Sequence, residues 1–339
     1  MLRGASVVGL RRAGVRWIEN SPTMSYSEAP PPTPIEEWGF RGPTRPRDVS
    51  GPELVTPWAC EAHAALLAPI TEAAGGGVTG GFAPVKVGGD LPLNGQWLVF
   101  KNALASSELD ADGYENTYSP PHTYTLRMYA GGSIESFYPI NVGDVVSESV
   151  GIEHVEKKKG SAFDMVFVTV KSDVFVADEN GDDVLARVER KRFVYRPEHA
   201  VVGAGLKPVT QETQAKAQAI RDKALVEVTT SFSTVDLFRY SAMTYNAHRI
   251  HYDAPYCKEE GFPGPVVHGP LSASALLALA EAKLPLEPIH AFDFRLLSPL
   301  FAGDPVTLCM AEGPGGYVFH VLDGEGRVAV VGLGSTLAL

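Results

Sequence analysis

The pattern of apolar and polar positions changes character several times along this chain. Near residues 56–67 small and apolar residues recur at helical spacing. Thr56 followed by Pro57 supplies a helix start, so a helix is expected over 57–67. From about residue 123 the period falls to two. Residues 165–170 and 173–176 read as strands, Asn180-Gly181 as a hairpin turn, and 184–195 as the return strand. Residues 197–224 lose this alternation, and a polar helix over 211–225 reads as a connector. The plan then repeats. Ser233 caps a helix over 234–243, a long loop comes next, a second helix starts after Gly269, and strands run to the end.

The helix after Gly269 is unusual in its pattern. Leu271-Ser272-Ala273-Ser274-Ala275-Leu276-Leu277-Ala278-Leu279-Ala280 is apolar or small on every face, which predicts burial all round. With several antiparallel strands in each half, the expected class is α+β, a sheet wrapped on a helix. One internal echo is sharp: Pro139-Ile140-Asn141-Val142-Gly143-Asp144-Val145-Val146 and Pro299-Leu300-Phe301-Ala302-Gly303-Asp304-Pro305-Val306 share Pro, Gly, Asp and Val in one register. Together with the repeated element order it predicts a duplicated domain. The expected division is 1–34 leader and Pro-rich linker, 35–197 first domain, 198–230 linker and 231–339 second domain.

Composition narrows the classes. The chain has 339 residues, about right for two domains, and a formal net charge of −11, which argues against nucleic-acid binding. No apolar run reaches the roughly 18 residues of a membrane helix. Three widely spaced cysteines read as free thiols in a reducing compartment. Arg3, Arg11, Arg12 and Arg16 precede the first acidic residue, Glu19, among apolar residues at roughly helical spacing. That is the composition of a mitochondrial transit peptide, with initiation at Met24 as the alternative. A secretory signal lacks its continuous apolar core here, and the C-terminus lacks a peroxisomal tripeptide. Residues 28–36 are Pro-rich and expected to be extended.

The candidate chemistry lies in Tyr245-Asn246-Ala247-His248-Arg249-Ile250-His251-Tyr252-Asp253 and, further on, Val267-His268-Gly269-Pro270-Leu271. Asn246, His248 and His251 offer proton or hydrogen-bond work. Gly269 opens a helix whose free N–H groups can hold a developing oxyanion. A proton shuttle facing an oxyanion pocket suits adding water to, or removing it from, an activated thioester. His251 is the candidate acid/base and Gly269 the candidate oxyanion donor. Asn246 holds water or the imidazole, or else forms a turn. His248 tunes the site or fills a polar loop. Arg249 contacts a phosphate or substrate carboxylate, or is solvated. His268 lines the pocket or packs. Metal binding by His248, His251 and Asp253 fits poorly, because zinc sites favour two histidines on one helix. No cofactor or metal is expected. Lys157-Lys158-Lys159 and Arg190-Lys191-Arg192 read either as a patch for CoA phosphates or an acidic carrier protein, or as solvated strand ends.

These residues resemble a known family. Ser241 to Asp253 and Val266 to Leu277 look like the hydratase-2 pattern of MaoC-type, R-specific enoyl-thioester hydratases, and Arg295 to Asp304 resembles that family's last common stretch. In the first half Pro120-Pro121, Arg127-Met128-Tyr129-Ala130-Gly131-Gly132 and Val194-Tyr195-Arg196 resemble the dehydratase-like domain fused to such hydratases. The resemblance covers about 35–339. It is nearest to mitochondrial hydroxyacyl-thioester dehydratases type 2 and bacterial mesaconyl-C4-CoA hydratases. It implies a double hot-dog fold and a hydro-lyase acting on (3R)-3-hydroxyacyl thioesters. The family's catalytic His falls on His251, its oxyanion Gly on Gly269, and its Asp on Asn246, an amide that cannot act as a carboxylate base. The resemblance further implies an acyl substrate on acyl carrier protein or CoA, a location in the mitochondrial matrix, and a fold compatible with a homodimer. A hydratase for mesaconyl- or itaconyl-CoA and a non-catalytic acyl-thioester binding module stay open beside fatty acid synthesis.

Overall fold

The computed structural model describes residues 50–75, 85–101, 103–121, 123–160, 163–197 and 206–336. The arginine-rich start and the Pro-rich stretch at 28–36 lie outside the described residues. The described chain runs β1 (Ser50–Leu54), α1 (Pro57–Ala73), β2 (Leu126–Ser136), β3 (Val145–Lys158), β4 (Met165–Ala177), β5 (Asp183–Arg196), α2 (Gln211–Arg221), β6 (Val226–Ser231), α3 (Thr234–Thr244), α4 (Ala254–Glu259), α5 (Gly269–Lys283), β7 (Ile289–Leu296), β8 (Pro305–Gly313), β9 (Gly316–Asp323) and β10 (Val328–Thr336). The expected helix starts hold. Pro57 follows Thr56, and Ser233 accepts from the Asp236 N–H while Asp236 accepts from the Ser233 N–H. The two strand fragments expected over 165–176 are one strand. Val166, Val168, Val170, Ser172, Val174 and Val176 all face inward, and Lys171 and Asp173 pair at 2.7 Å on the outer side.

All strands among the described residues join one antiparallel sheet in the order β1-β3-β4-β5-β2-β7-β10-β9-β8-β6. Counted within each half, this is first, third, fourth, fifth and second, followed by the same order reversed. The sequence echo is a structural one. The Gly143 N–H donates to Val55 O and the Gly303 N–H to Phe232 O, both at 2.8 Å, just after β1 and β6. All of β6 but its last residue falls in the segment, 198–230, expected to be linker. It pairs with β8 from Val226↔Met310 to Ser231↔Pro305 and forms the sheet's edge. Its sequence, VEVTTS, is polar at four of six positions, as suits an edge strand, and so resembles a connector.

The halves fill their wraps differently. In the second half α5 is buried from Leu271 to Ala280 and packs against Met310, Phe292, Phe294, Phe319 and Val321. In the first half Leu91 N–H donates to Ile140 O, as Val267 N–H donates to Leu300 O just before α5. The chain then makes a single 3-10 turn, Gly95–Leu98, instead of a long helix. Helix α1 contributes Leu66, Leu67 and Ile70 to the α5 cluster. Instead of each half of the sheet enclosing a long helix of its own, the second half encloses α5 and the first leaves room. The sequence explains this: α5 is Ala- and Leu-rich, whereas 99–125 holds Gly113, Asn116, Pro120 and Pro121 and no helical repeat.

The short turn is held by charge. Arg187, only 3% exposed, donates to the carbonyls of Pro92 (2.6 Å), Leu93 (3.0 Å) and Leu91 (2.6 Å) and to Gln96 Oε1 (3.1 Å). Burial lowers its pKa to about 10 against the pull of Asp90 and Cys60. Asn94 joins the turn to α5 through Ser274 Oγ at 2.6 Å. Arg187→Met strands several buried carbonyls, each worth about 1–3 kcal/mol. It should therefore destabilise the protein by at least about 3 kcal/mol in urea unfolding. A loss below about 1 kcal/mol would mean that water replaces these bonds.

Candidate active site

The room left by the short turn is a cavity of about 1310 Å³, bounded by both halves. Helix α3 delivers the chain to it. Tyr245, with φ 54° and ψ 34°, closes α3 in the left-handed region, which a side chain adopts at some strain. Asn246 Oδ1 then accepts from the His248 N–H at 3.0 Å, a local turn. Residues Arg249–His251 form one 3-10 turn, and the Arg249 N–H donates to Asp112 O at 2.8 Å in the first half. The Val266 N–H donates back to Ile250 O at 2.8 Å, so the loop is tied to the segment that opens α5.

His251 is buried and lines the cavity. Its Nδ1 lies 2.7 Å from Val266 O, which requires the proton on Nδ1 and leaves Nε2 as an acceptor. Burial lowers its pKa to about 4, and the Val266 bond opposes that only in part. His251 is therefore a neutral imidazole across the working pH range. His268 stacks on it, with ring centroids 3.5 Å apart and planes at 18°, and meets Ser241 Oγ through Nε2 at 2.9 Å. His268 is fully buried and lies behind His251, so it packs rather than lines the cavity. Burial, then His251 and His248, holds it well below the usual histidine range.

Gly269 and Pro270 line the cavity at the start of α5. The Ser272 N–H bonds to His268 O, and Pro270 has no N–H, which leaves the Gly269 and Leu271 N–H groups as the donors of the first turn. A Cβ on Gly269 would sit 2.2 Å from Leu296 Cδ1 and 3.0 Å from Tyr129 Cδ1. A side chain here would have to displace Leu296, so glycine allows close packing as well as access.

At two places where the sequence left alternatives, the side chains are engaged locally. Arg249, expected either to contact a phosphate or substrate carboxylate or to be solvated, donates to Asp253 Oδ2 at 3.0 and 2.7 Å and stacks 4.2 Å over Tyr256, outside the cavity lining. Its four-residue spacing to Asp253 on a turn explains the pairing. The basic run at 190–192 is not a patch. Strand alternation sends Arg190 to Glu153 and Arg192 to Asp293 on one face, and turns Lys191 to the cavity on the other. Lys157 and Lys158 are paired with Asp164 and Glu156, both at 3.1 Å.

Sequence reasoning missed Asp112 and Arg127. Arg127 pairs with Asp112 at 2.7 Å, and Asp112 Oδ2 faces His248 Nε2 at 3.4 Å. The Tyr114 ring lies 6.0 Å from the His248 ring and beneath the Arg127 guanidinium. Burial, then Arg127 and His251, keeps His248 well below the usual histidine range and so neutral. The one available signal was Arg127 itself, a charge in a stretch predicted as strand; its partner lies in a loop without pattern.

Similarity to known proteins agrees with this geometry. The family model described as hydroxyacyl-thioester dehydratase type 2 matches residues 94–302, from the short turn to the echo before β8. The chain is 35% identical over 221 residues to mesaconyl-C(4)-CoA hydratase of Chloroflexus aurantiacus, covering 64% of this chain and 74% of that protein. It is 27% identical over 228 residues to the mitochondrial hydroxyacyl-thioester dehydratase type 2 of Schizosaccharomyces pombe, covering 64% and 76%. The crystal structure of HtdX from Mycobacterium tuberculosis superposes with a TM-score of 0.58 at 18% identity, covering 85% of this chain and 99% of that one, which supports the fold. The chain is a double hot-dog hydro-lyase that belongs to the hydroxyacyl-thioester dehydratase type 2 family.

Proposed function

We propose that this protein interconverts (3R)-3-hydroxyacyl and trans-2-enoyl thioesters, with His251 as acid/base and the N-terminus of α5 at Gly269 as oxyanion site. One observation carries the reading: a neutral, cavity-facing imidazole, fixed by Val266 O, shares a cavity with the open N-terminus of α5. In dehydration His251 Nε2 takes the α proton while the Gly269 N–H stabilises the enolate-like oxygen. The same proton passes to the departing 3-hydroxyl, which leaves as water. Hydration is the reverse, and one base serving both steps favours a syn course. Asn246 Oδ1 is engaged by the His248 N–H, so Asn246 acts chiefly through the loop. The second polar contact falls to His248, oriented by Asp112.

The acyl group travels on acyl carrier protein or CoA. The first half stands in for the second subunit that a single hot-dog would require, and a homodimer of the whole chain is compatible with this. The leader-like start and the mitochondrial relative support a role in mitochondrial fatty acid synthesis, in the matrix. The charged cavity wall around Lys191 and the Chloroflexus relative support a second reading, hydration of a branched dicarboxylic CoA ester. Assaying crotonyl-CoA, 3-hydroxydecanoyl thioesters and mesaconyl-CoA side by side separates the two. Turnover of none of them would leave the binding-module reading.

His251→Ala should lower kcat/KM by about 10²–10⁴-fold in a folded protein. Near-normal turnover would put the base elsewhere. Because the His251 pKa is lowered to about 4, wild-type kcat/KM should stay level through neutral pH and fall only as pH drops towards 4. The same depression means stability is fully present above the unfolded histidine value of about 6.5 and declines as pH falls from there towards 4. An acid limb centred near 6.5 would contradict a buried neutral base.

Asn246→Asp keeps an acceptor for the His248 N–H and should retain substantial activity. Asn246→Ala strands that N–H, at about 1–3 kcal/mol, and should lower kcat/KM roughly 5- to 150-fold. Wild-type rates in Asn246→Ala would show that the turn forms without its side chain.

Protein recovered from its native cells should begin after removal of the leader, before residue 35. Terminal sequencing that finds an intact Met1, or a cytosolic form starting at Met24, would contradict the mitochondrial assignment.

A further inference from the structure

An unsubstituted fatty chain needs only apolar walls, and much of this cavity's inner face supplies them through Val150, Val170 and Phe193. Lys191 interrupts that wall. It stands on the inner face of β5, opposite Val170 of β4 and Gly132 of β2. Glu189, two residues back on the same face, and Glu148 of β3 also line the cavity, with Ser172 donating to Glu148 at 2.6 Å.

The three inward charges of β5 differ in how they are engaged. Arg187 is consumed by backbone carbonyls, and Glu189 accepts from Trp97 Nε1. Both serve the short turn. Lys191 pairs with Glu189 at 3.7 Å, beyond hydrogen-bond length, and its side chain is 38% exposed. An ammonium has three donors, and this pairing fixes its charge without filling them. Burial works against that charge, but Glu189 and Glu148 outweigh it and hold the ammonium above the usual lysine range. Tyr114 connects this wall to the histidines. Its ring neighbours His248, and the Lys191 charge acts on its phenol, which burial pushes up to about 12.

We propose that the inner face of β3, β4 and β5 is a subsite for a second oxygen function on the acyl chain, beyond the reacting carbons, with Lys191 as its hydrogen-bond donor. This rests on the reading that the cavity receives an acyl thioester. A hydroxyl and a carboxylate share the required acceptor oxygen. A hydroxyl can also donate to Glu189 or Glu148, whereas a carboxylate relies on the ammonium alone.

The test is binding of saturated, unreactive CoA thioesters of matched length ending in methyl, hydroxyl or carboxylate, measured by calorimetry. The wild-type protein should bind a hydroxyl- or carboxylate-ended member roughly 10- to 100-fold tighter than the methyl-ended one. Lys191→Met should abolish the preference and Lys191→Arg should keep it, with folding checked by circular dichroism. A hydroxyl preference supports a subsite using both signs of charge, and a carboxylate preference supports one using ammonium pairing. Equal affinities, a methyl preference, or a preference that survives Lys191→Met overturn the proposal. Separately, failure to hydrate any enoyl thioester while the binding preference persists would defeat the proposed reaction and leave the subsite standing.

Discussion

The architecture depends on one close approach, between β2 and β7. There the two halves become a single sheet, from Gly131↔Arg295 to Glu135↔Ala291. Gly131 has φ +135°, and a Cβ on it would lie 2.1 Å from Phe294 O, so a side chain is excluded on both counts. The sheet's order reverses about this seam. It brings the first half's loop at Asp112 onto the second half's loop at Arg249, and so builds the cavity from both. Without the seam His251 would keep its bond to Val266, but the wall opposite it would be missing.

From that seam the differences between the halves acquire meaning. α5 fills the second wrap and turns its N-terminus to the cavity, while a single turn pinned by Arg187 takes the equivalent place in the first. A repeated plan with a long helix in one half and a single turn in the other opens a large internal space. The sheet stays continuous through the seam, and the core around α5 is fully packed. The inner face uncovered in the first half then needs its own chemistry. β5 meets that need with charges at alternate positions: Arg187 and Glu189 hold the short turn, and Lys191 keeps its donors towards the cavity.

Much of this was legible in the sequence. The echo between residues 139–146 and 299–306 carried the duplication, and the all-round apolar pattern of 271–280 carried α5. His251 and Gly269 stood out because their spacing and residue types resemble a family motif, and both line the cavity. What was illegible depends on pairing between segments far apart in the chain. Asp112 lies in an unpatterned loop, and only folding sets it against Arg127 and His248. The direction of Lys191 follows from the strand period, but a run of three basic residues hides that alternation. The short turn at Gly95–Leu98 in place of a long helix also has no positive mark in the sequence, only the absence of a helical repeat.

The central claim is that a single neutral imidazole and one helix N-terminus, on the same cavity, handle both hydrogens of the reaction. Its most direct test is hydration of a trans-2-enoyl thioester in heavy water, with the product's configuration read by NMR and chiral analysis. The account predicts a (3R)-3-hydroxyacyl product with one deuterium at C2, on the face that receives the hydroxyl. A (3S) product, or deuterium delivered to the opposite face, would contradict it.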